Sequence, residues 1–254
     1  MQIFSPIGEL KMQNKLIDMH CHLDLLENID FSILENVHIL SVTTTPSAWD
    51  GNQRLFSKYD NIKIALGFHP QLIHKRINDF ELFEQILPKS KYVGEVGLDG
   101  SAEFRPFLEK QKSIFESILK QCTKNNGKIL SIHCRGAVEE TLNLLEKSPD
   151  AGKFILHWFT GSIKELERAI QLGSWFSVNN NMLLSRKGIQ LVQAMPINKI
   201  LTETDTPFGK FGHINVYNQL QNTLNALQKI IPSLSNETII SNFQNLLMKN
   251  KLST

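Results

Sequence analysis

The chain has 254 residues, 41% of them hydrophobic and 20% charged, which suits one compact domain with a large core and excludes wholesale disorder. A net charge of +2 excludes a strongly basic nucleic-acid binder, so any nucleic-acid contact must come from a local patch. No apolar run reaches the length of a membrane span, and three cysteines without a C-x-x-C argue against a disulfide framework and for a reducing cytoplasm.

Residues 1–15, MQIFSPIGELKMQNK, lack the continuous apolar stretch of a signal peptide and read as a short leader before one domain over 16–254. Eight short runs rich in Ile, Val, Leu and aromatics follow: KLIDMHCH (15–22), NVHILSVTT (36–44), IKIALGF (62–68), KYVGEVGL (91–98), KILSIH (128–133), KFILHW (153–158), SWFSVN (174–179) and NKILTETD (198–205). Each has the length and composition of a buried parallel strand. Helical patterns fill most of the gaps. The clearest runs from Pro106 to Asn125, where Phe107, Leu108, Gln111, Ile114, Phe115, Ile118, Leu119 and Cys122 recur at i, i+3, i+4 and Gly127 stands just past the end. Ser162-x-x-Glu165 is the capping box that opens the helix after the sixth strand. Eight strands alternating with helices predict an α/β fold, the (β/α)₈ TIM barrel of the metal-dependent hydrolase type.

A barrel carries its active site where its strands end. Five of the eight histidines fall in or just after a predicted strand: His20, His22, His69, His133 and His157. In IDMHCHLD the alternation of a strand puts Asp18, His20 and His22 on one face and Cys21 on the other. Two imidazoles about 7 Å apart along that face can converge on one cation. Glu95 sits inside the apolar strand KYVGEVGL, where a carboxylate is costly unless it is paired or bound to metal. Its two oxygens suit it to bridge two cations. His133 and His157, each closing a strand, read together as nitrogen ligands of a second metal. Asp205 is positioned to bind the first metal and to serve as general base. Glu203, on the same face, is compatible with a supporting or structural carboxylate as well as with a ligand. His69 in GFHP and Arg135 after His133 suit contact with an anionic substrate, though a structural loop histidine and a solvated arginine have the same sequence. His38, His74 and His213 have no such context.

The ordered set IDMHCHLD, GFHP, VGEVGLD, SIHCR, HWFTGS and TETDTPF, closed by NFQNLL, resembles the TatD family of metal-dependent deoxyribonucleases from about Ile17 to Leu247. The resemblance implies that His20, His22, Glu95 and Asp205 hold one metal and that Glu95, His133 and His157 hold another. Mg²⁺, Mn²⁺ or Zn²⁺ would be the two divalent cations, and Asp205 and Glu95 the catalytic carboxylates. It further implies DNA, as ends or single strands, as the substrate. The chain departs from many relatives at Gly136, where an acidic residue is usual, at Trp158, where a cysteine is usual, and in DGSAEFRP. The GSAEFRPFLEKQ and NNNML segments resemble the TatD-type subunit of bacterial Qat anti-phage defence operons, which implies protein partners in a defence complex.

Two other readings fit the same barrel. An amidohydrolase acting on a cyclic amide or ester shares the HxH opening but often carries a carboxylated lysine at the fourth strand, where this chain has Glu95. A metal-binding interaction subunit would keep the same ligands without turnover.

Overall fold

The computed structural model describes residues 15–212 and 215–248. The predicted leader, apart from Lys15, and His213 lie outside these residues. Eight parallel strands appear in the predicted order: β1 (Leu16–Cys21), β2 (Val37–Val42), β3 (Ile62–Ala65), β4 (Tyr92–Gly97), β5 (Lys128–His133), β6 (Gly152–His157), β7 (Trp175–Val178) and β8 (Ile200–Thr202). Between and after them come helices α1 (Phe31–Leu34), α2 (Trp49–Leu55), α3 (Ile73–Arg76), α4 (Phe80–Ile86), α5 (Leu108–Lys124), α6 (Val138–Glu146), α7 (Ile163–Gln171), α8 (Arg186–Ala194), α9 (Val216–Ile230) and α10 (Asn236–Leu247).

Continuous pairing runs through two groups, β1-β2-β3 and β4 to β8. Two seams join them into a ring. At one, the Leu66 amide donates to Tyr92 O (2.9 Å) and the Phe68 amide to Glu95 O (3.0 Å). At the other, the Asp205 amide donates to His20 O and the His22 amide to Thr206 O, both at 2.9 Å. Strand residues are buried almost throughout, as expected when helices cover the outer face and side chains fill the inner one.

Two predicted strands stop early for local reasons. Strand β3 ends at Ala65 because Gly67 takes the chain hard against β2, where a Cβ would lie 1.5 Å from Thr43 O. Strand β8 ends at Thr202 because the backbone then turns, reaching a left-handed φ of 56° at Asp205. The amide of Thr204, freed from the ladder there, donates to Asp18 Oδ1 at 3.0 Å.

The helix predicted from Pro106 opens as a tight turn over Arg105–Phe107 and becomes α-helical at Leu108. Leu108, Gln111, Ile114, Phe115, Ile118, Leu119 and Cys122 are buried as the spacing requires. Burial of each large aliphatic side chain stabilises the packing by roughly 1.5–3 kcal/mol. Phe107 departs from the expectation: it is exposed and stacks on His74, with ring centroids 4.1 Å apart. The capping box at Ser162 and Glu165 forms in both directions. In α10, buried Asn242 donates to Ile197 O and Ile200 O, tying the last helix to the start of β8. All three cysteines are free and buried, and among the described residues no helix is long and apolar enough to cross a membrane.

Candidate metal centre

The strand ends converge on Glu95. Its Oε2 lies 3.4 Å from His20 Nε2 and 3.2 Å from His22 Nε2, both presented from β1 and its end. Its Oε1 lies 2.7 Å from His133 Nδ1 and 3.1 Å from His157 Nε2, at the ends of β5 and β6. Asp205 Oδ1 completes the first group, 3.6 Å from each of His20 Nε2 and His22 Nε2. Glu95 therefore turns one oxygen to each histidine pair. Gly97 permits the close approach of β4 to β5: with φ 135°, its position would put a Cβ 2.1 Å from His133 O.

Two of the four rings, His20 and His133, are also hydrogen-bonded from behind, and a third, His157, faces a carboxylate there. His20 Nδ1 meets Ser131 Oγ at 2.7 Å, and His133 Nε2 meets Asp99 Oδ2 at 3.0 Å. Asp99 is fixed in turn by Gln71 Nε2 (2.7 Å) and by the amide of Ser101 (2.8 Å). His157 Nδ1 faces Glu203 Oε1 at 3.7 Å. Glu203 accepts hydrogen bonds from Ser177 Oγ, Asn179 Nδ2 and the Trp158 amide. Its oxygens are engaged this way, and donor atoms of His20, His157 and Glu203 also lie within 4.8 Å of one another. Carboxylates behind imidazoles fix ring orientation and raise ligand basicity.

The predicted alternation in β1 is interrupted. Register against β2 slips between Asp18 and Cys21, and Asp18 does not join the centre. Its carboxyl instead accepts from the Thr204 hydroxyl at 2.7 Å and from the His20 amide at 3.2 Å. Burial there pushes Asp18 up to about 8. His69 lies closer to the centre than its sequence context showed, with Nε2 3.2 Å from Glu95 Oε1. Its Nδ1 accepts from the Gln71 amide, which leaves the ring proton on Nε2. Arg135 is exposed and lines the mouth. His38 lies in β2, on a smaller cavity away from this centre.

The electrostatics are those of a buried carboxylate among imidazoles. Burial alone would raise Glu95, but His69, His20 and the hydrogen bonds from His133 and His157 carry it well below the usual carboxylate range. Burial likewise opposes ionisation of Asp205, and His22, His20 and His157 hold it low. Glu203 and Glu95 outweigh burial at His157 and lift it well above the ordinary histidine value. Burial and the neighbouring His157 push His20 down. The rings of His20 and His157 stack at 3.8 Å.

These residues fit divalent cations. His20 Nε2 is buried beside two carboxylates, yet has no hydrogen-bond partner. Among the described residues no lysine lines the cavity, and Arg135 is its one arginine. Donor atoms of His20, His22 and Glu95 lie within 4.8 Å of one another, as do those of His69, Glu95 and His133. Imidazole nitrogens and carboxylate oxygens are the donor set of zinc and related ions. Sequence reasoning missed Asp99, Gln71 and Ser131. Asp99 stood in plain view within VGEVGLD, and the signal was its place one turn beyond the Glu95 strand. The centre opens into a cavity of about 680 Å³ lined also by Gln71, Trp158, Thr160 and Phe208.

Comparison with known proteins agrees with this architecture. The chain is 29% identical over 219 residues to an uncharacterized metal-dependent hydrolase of Buchnera aphidicola, covering 76% of this chain and 81% of that one. It is 26% identical to human deoxyribonuclease TATDN3, covering 76% and 78%. The fold superposes on the TatD homolog YjjV of Escherichia coli with a TM-score of 0.82 at 23% identity, covering 92% and 98%. The family model of TatD related DNases matches residues 17–247, and the chain belongs to that family of metal-dependent hydrolases.

Proposed function

We propose that the protein is a deoxyribonuclease that hydrolyses DNA phosphodiester bonds with two divalent cations, Mg²⁺, Mn²⁺ or Zn²⁺. The observation that carries this reading is the division of Glu95, with Oε2 toward His20 and His22 and Oε1 toward His133 and His157. In this assignment His20, His22, Glu95 and Asp205 hold one cation, and Glu95, His133 and His157 hold the other. The cations, when bound, supply a lowered water pKa and positive charge for the phosphoryl oxygens.

The chain's own groups do the rest. Asp205, kept ionised by its histidine neighbours, accepts at its carboxylate the proton of the attacking water. His69 presents an Nε2 proton to the same space and suits a non-bridging phosphate oxygen. Arg135 at the mouth attracts the anionic backbone. Ser131, Asp99 and Glu203 hold the three rings they touch in place. An amidohydrolase of the carboxylated-lysine type would carry that lysine in the fourth strand, where this chain has Glu95.

We further propose that the protein works in the cytoplasm and serves anti-phage defence with protein partners. The free, buried cysteines support the first, and the GSAEFRPFLEKQ and NNNML segments support the second. The decisive experiment is cleavage of end-labelled single- and double-stranded DNA in Mg²⁺, Mn²⁺ or EDTA by wild type and Glu95→Ala. Metal-dependent cleavage lost in the variant is the expected result, and the product ladder gives the direction of attack. Wild type that retains metal but cleaves neither strand form would overturn the nuclease assignment.

A further inference from the structure

We propose that Trp158 and Phe208 form an aromatic grip that stacks on a nucleobase at the mouth of the metal cleft. The proposal rests on the deoxyribonuclease reading and adds to it two residues that contact the base.

Trp158 directly follows His157, and its amide donates to Glu203 Oε1 at 3.1 Å. Its backbone stands at φ 40°, a left-handed posture that is uncommon for a bulky residue and persists only where surroundings enforce it. The ring is partly exposed and lines the cleft. The other two tryptophans, Trp49 and Trp175, are buried.

Phe208 is tied to the centre from the other side. Its amide donates to Asp205 O at 2.8 Å, and its ring lies edge-on to His22 with centroids 5.1 Å apart. It is nevertheless 47% exposed, an unusual position for a phenylalanine with no solvated role. Two aromatic residues, each one peptide or hydrogen bond from a candidate ligand, thus share one cavity with the guanidinium of Arg135.

That combination is a recognition chemistry for unpaired nucleotides. Aromatic faces bind bases of any sequence by stacking, and the cation follows the backbone. A base inside a duplex has both faces covered by its neighbours and offers none to the protein. The cavity, about 680 Å³, lies in the range of small-ligand clefts of about 300–1,000 Å³. It suits a splayed nucleotide beside the scissile phosphate.

Trp158 is the least buried of the three tryptophans and the one that lines the cleft, so contact there should change its emission. The test titrates Mn²⁺-loaded Asp205→Asn protein, in which turnover is slowed, with a single-stranded deoxyadenylate oligomer. The same oligomer with abasic residues and a hairpin-capped duplex serve as comparisons. The oligomer with bases should quench the emission, and the other two should not. Trp158→Ala and Phe208→Ala, each checked for folding by circular dichroism and for metal content, should weaken binding of that oligomer about tenfold. Trp158→Phe should restore most of it. Neither Ala change should alter binding of the abasic strand.

Equal quenching by abasic and intact strands, or unchanged affinity in both Ala variants, would overturn the grip. Cleavage by wild type without this quenching would leave the nuclease standing and remove the grip. Quenching with no cleavage in any metal would do the reverse.

Discussion

The two ends of the barrel treat charged side chains in opposite ways. At the ends where the strands begin, lysines are satisfied by main-chain carbonyls: Lys128 donates to Ser90 O at 2.7 Å, Lys153 to Leu246 O at 2.8 Å and Lys199 to Gly173 O at 3.2 Å. Lys199 also lies 4.3 Å from the centroid of the Trp175 ring. These contacts fasten the starts of the strands to neighbouring backbone. Where the strands end, five histidines and two carboxylates face one another across a few ångströms, with His20 Nε2, His22 Nδ1 and His157 Nδ1 buried and without a hydrogen-bond partner. Polar groups that complete the backbone hold a fold together; polar groups aimed at a shared empty point are poised for chemistry.

The largest effect should come from the site end. Asp205→Asn should lower metal-dependent DNA cleavage about 10²–10⁴-fold with little change in thermal stability. Parallel rate and melting measurements would break the contrast if stability fell while cleavage survived. A smaller loss is expected one layer back. Asp99→Asn removes the carboxylate behind His133 and should cost about 10–100-fold in metal affinity or rate. Isothermal titration with Mn²⁺ would show it, and an unchanged affinity would reduce Asp99 to a loop-shaping residue.

At the opposite end, the expected signature reverses. Lys153→Met should destabilise the protein by about 1–2 kcal/mol, because the carbonyls at the end of α10 lose their charged donor, and should leave the cleavage rate alone. Urea unfolding beside the nuclease assay separates the two. The smallest effect concerns His38. Burial, then the charges of Lys15 and Lys63, lower it from the ordinary 6.5 to about 4. The unfolded chain therefore takes up a proton at higher pH than the folded one. Its contribution is intact above 6.5 and is lost as pH falls from 6.5 toward 4. His38→Gln should thus flatten the drop in melting temperature between pH 7 and pH 5. An unchanged slope would clear His38 of that role.

How much of this was legible depends on distance along the chain. The strands β5 and β6 could be read nearly residue for residue, because their apolar runs are uninterrupted. The histidines and carboxylates could be read because each closes a strand. What supports them could not. Ser131 reaches His20 across 111 residues, and Asp99 reaches His133 across 34. Only folding makes such pairs neighbours. The early ends of β3 and β8 were hidden for a similar reason: close approach to Thr43 O and a hydrogen bond to the Asp18 carboxylate accompany them, and hydropathy does not register those. The exposure of Phe107 was hidden too, since its spacing in the helix is that of a core residue.

The two seams of the ring fall unequally across the centre. His133, His157 and Glu95 all come from the β4 to β8 group, whereas His20 and His22 come from the β1-β2-β3 group and face Asp205 across the second seam. A cation held by His20, His22, Glu95 and Asp205 would therefore act as a clasp on the ring. A cation between Glu95, His133 and His157 would bind within one half. The amides of His22 and Asp205 sit on that clasp, so their exchange with deuterium should slow when the first position fills and barely respond to the second.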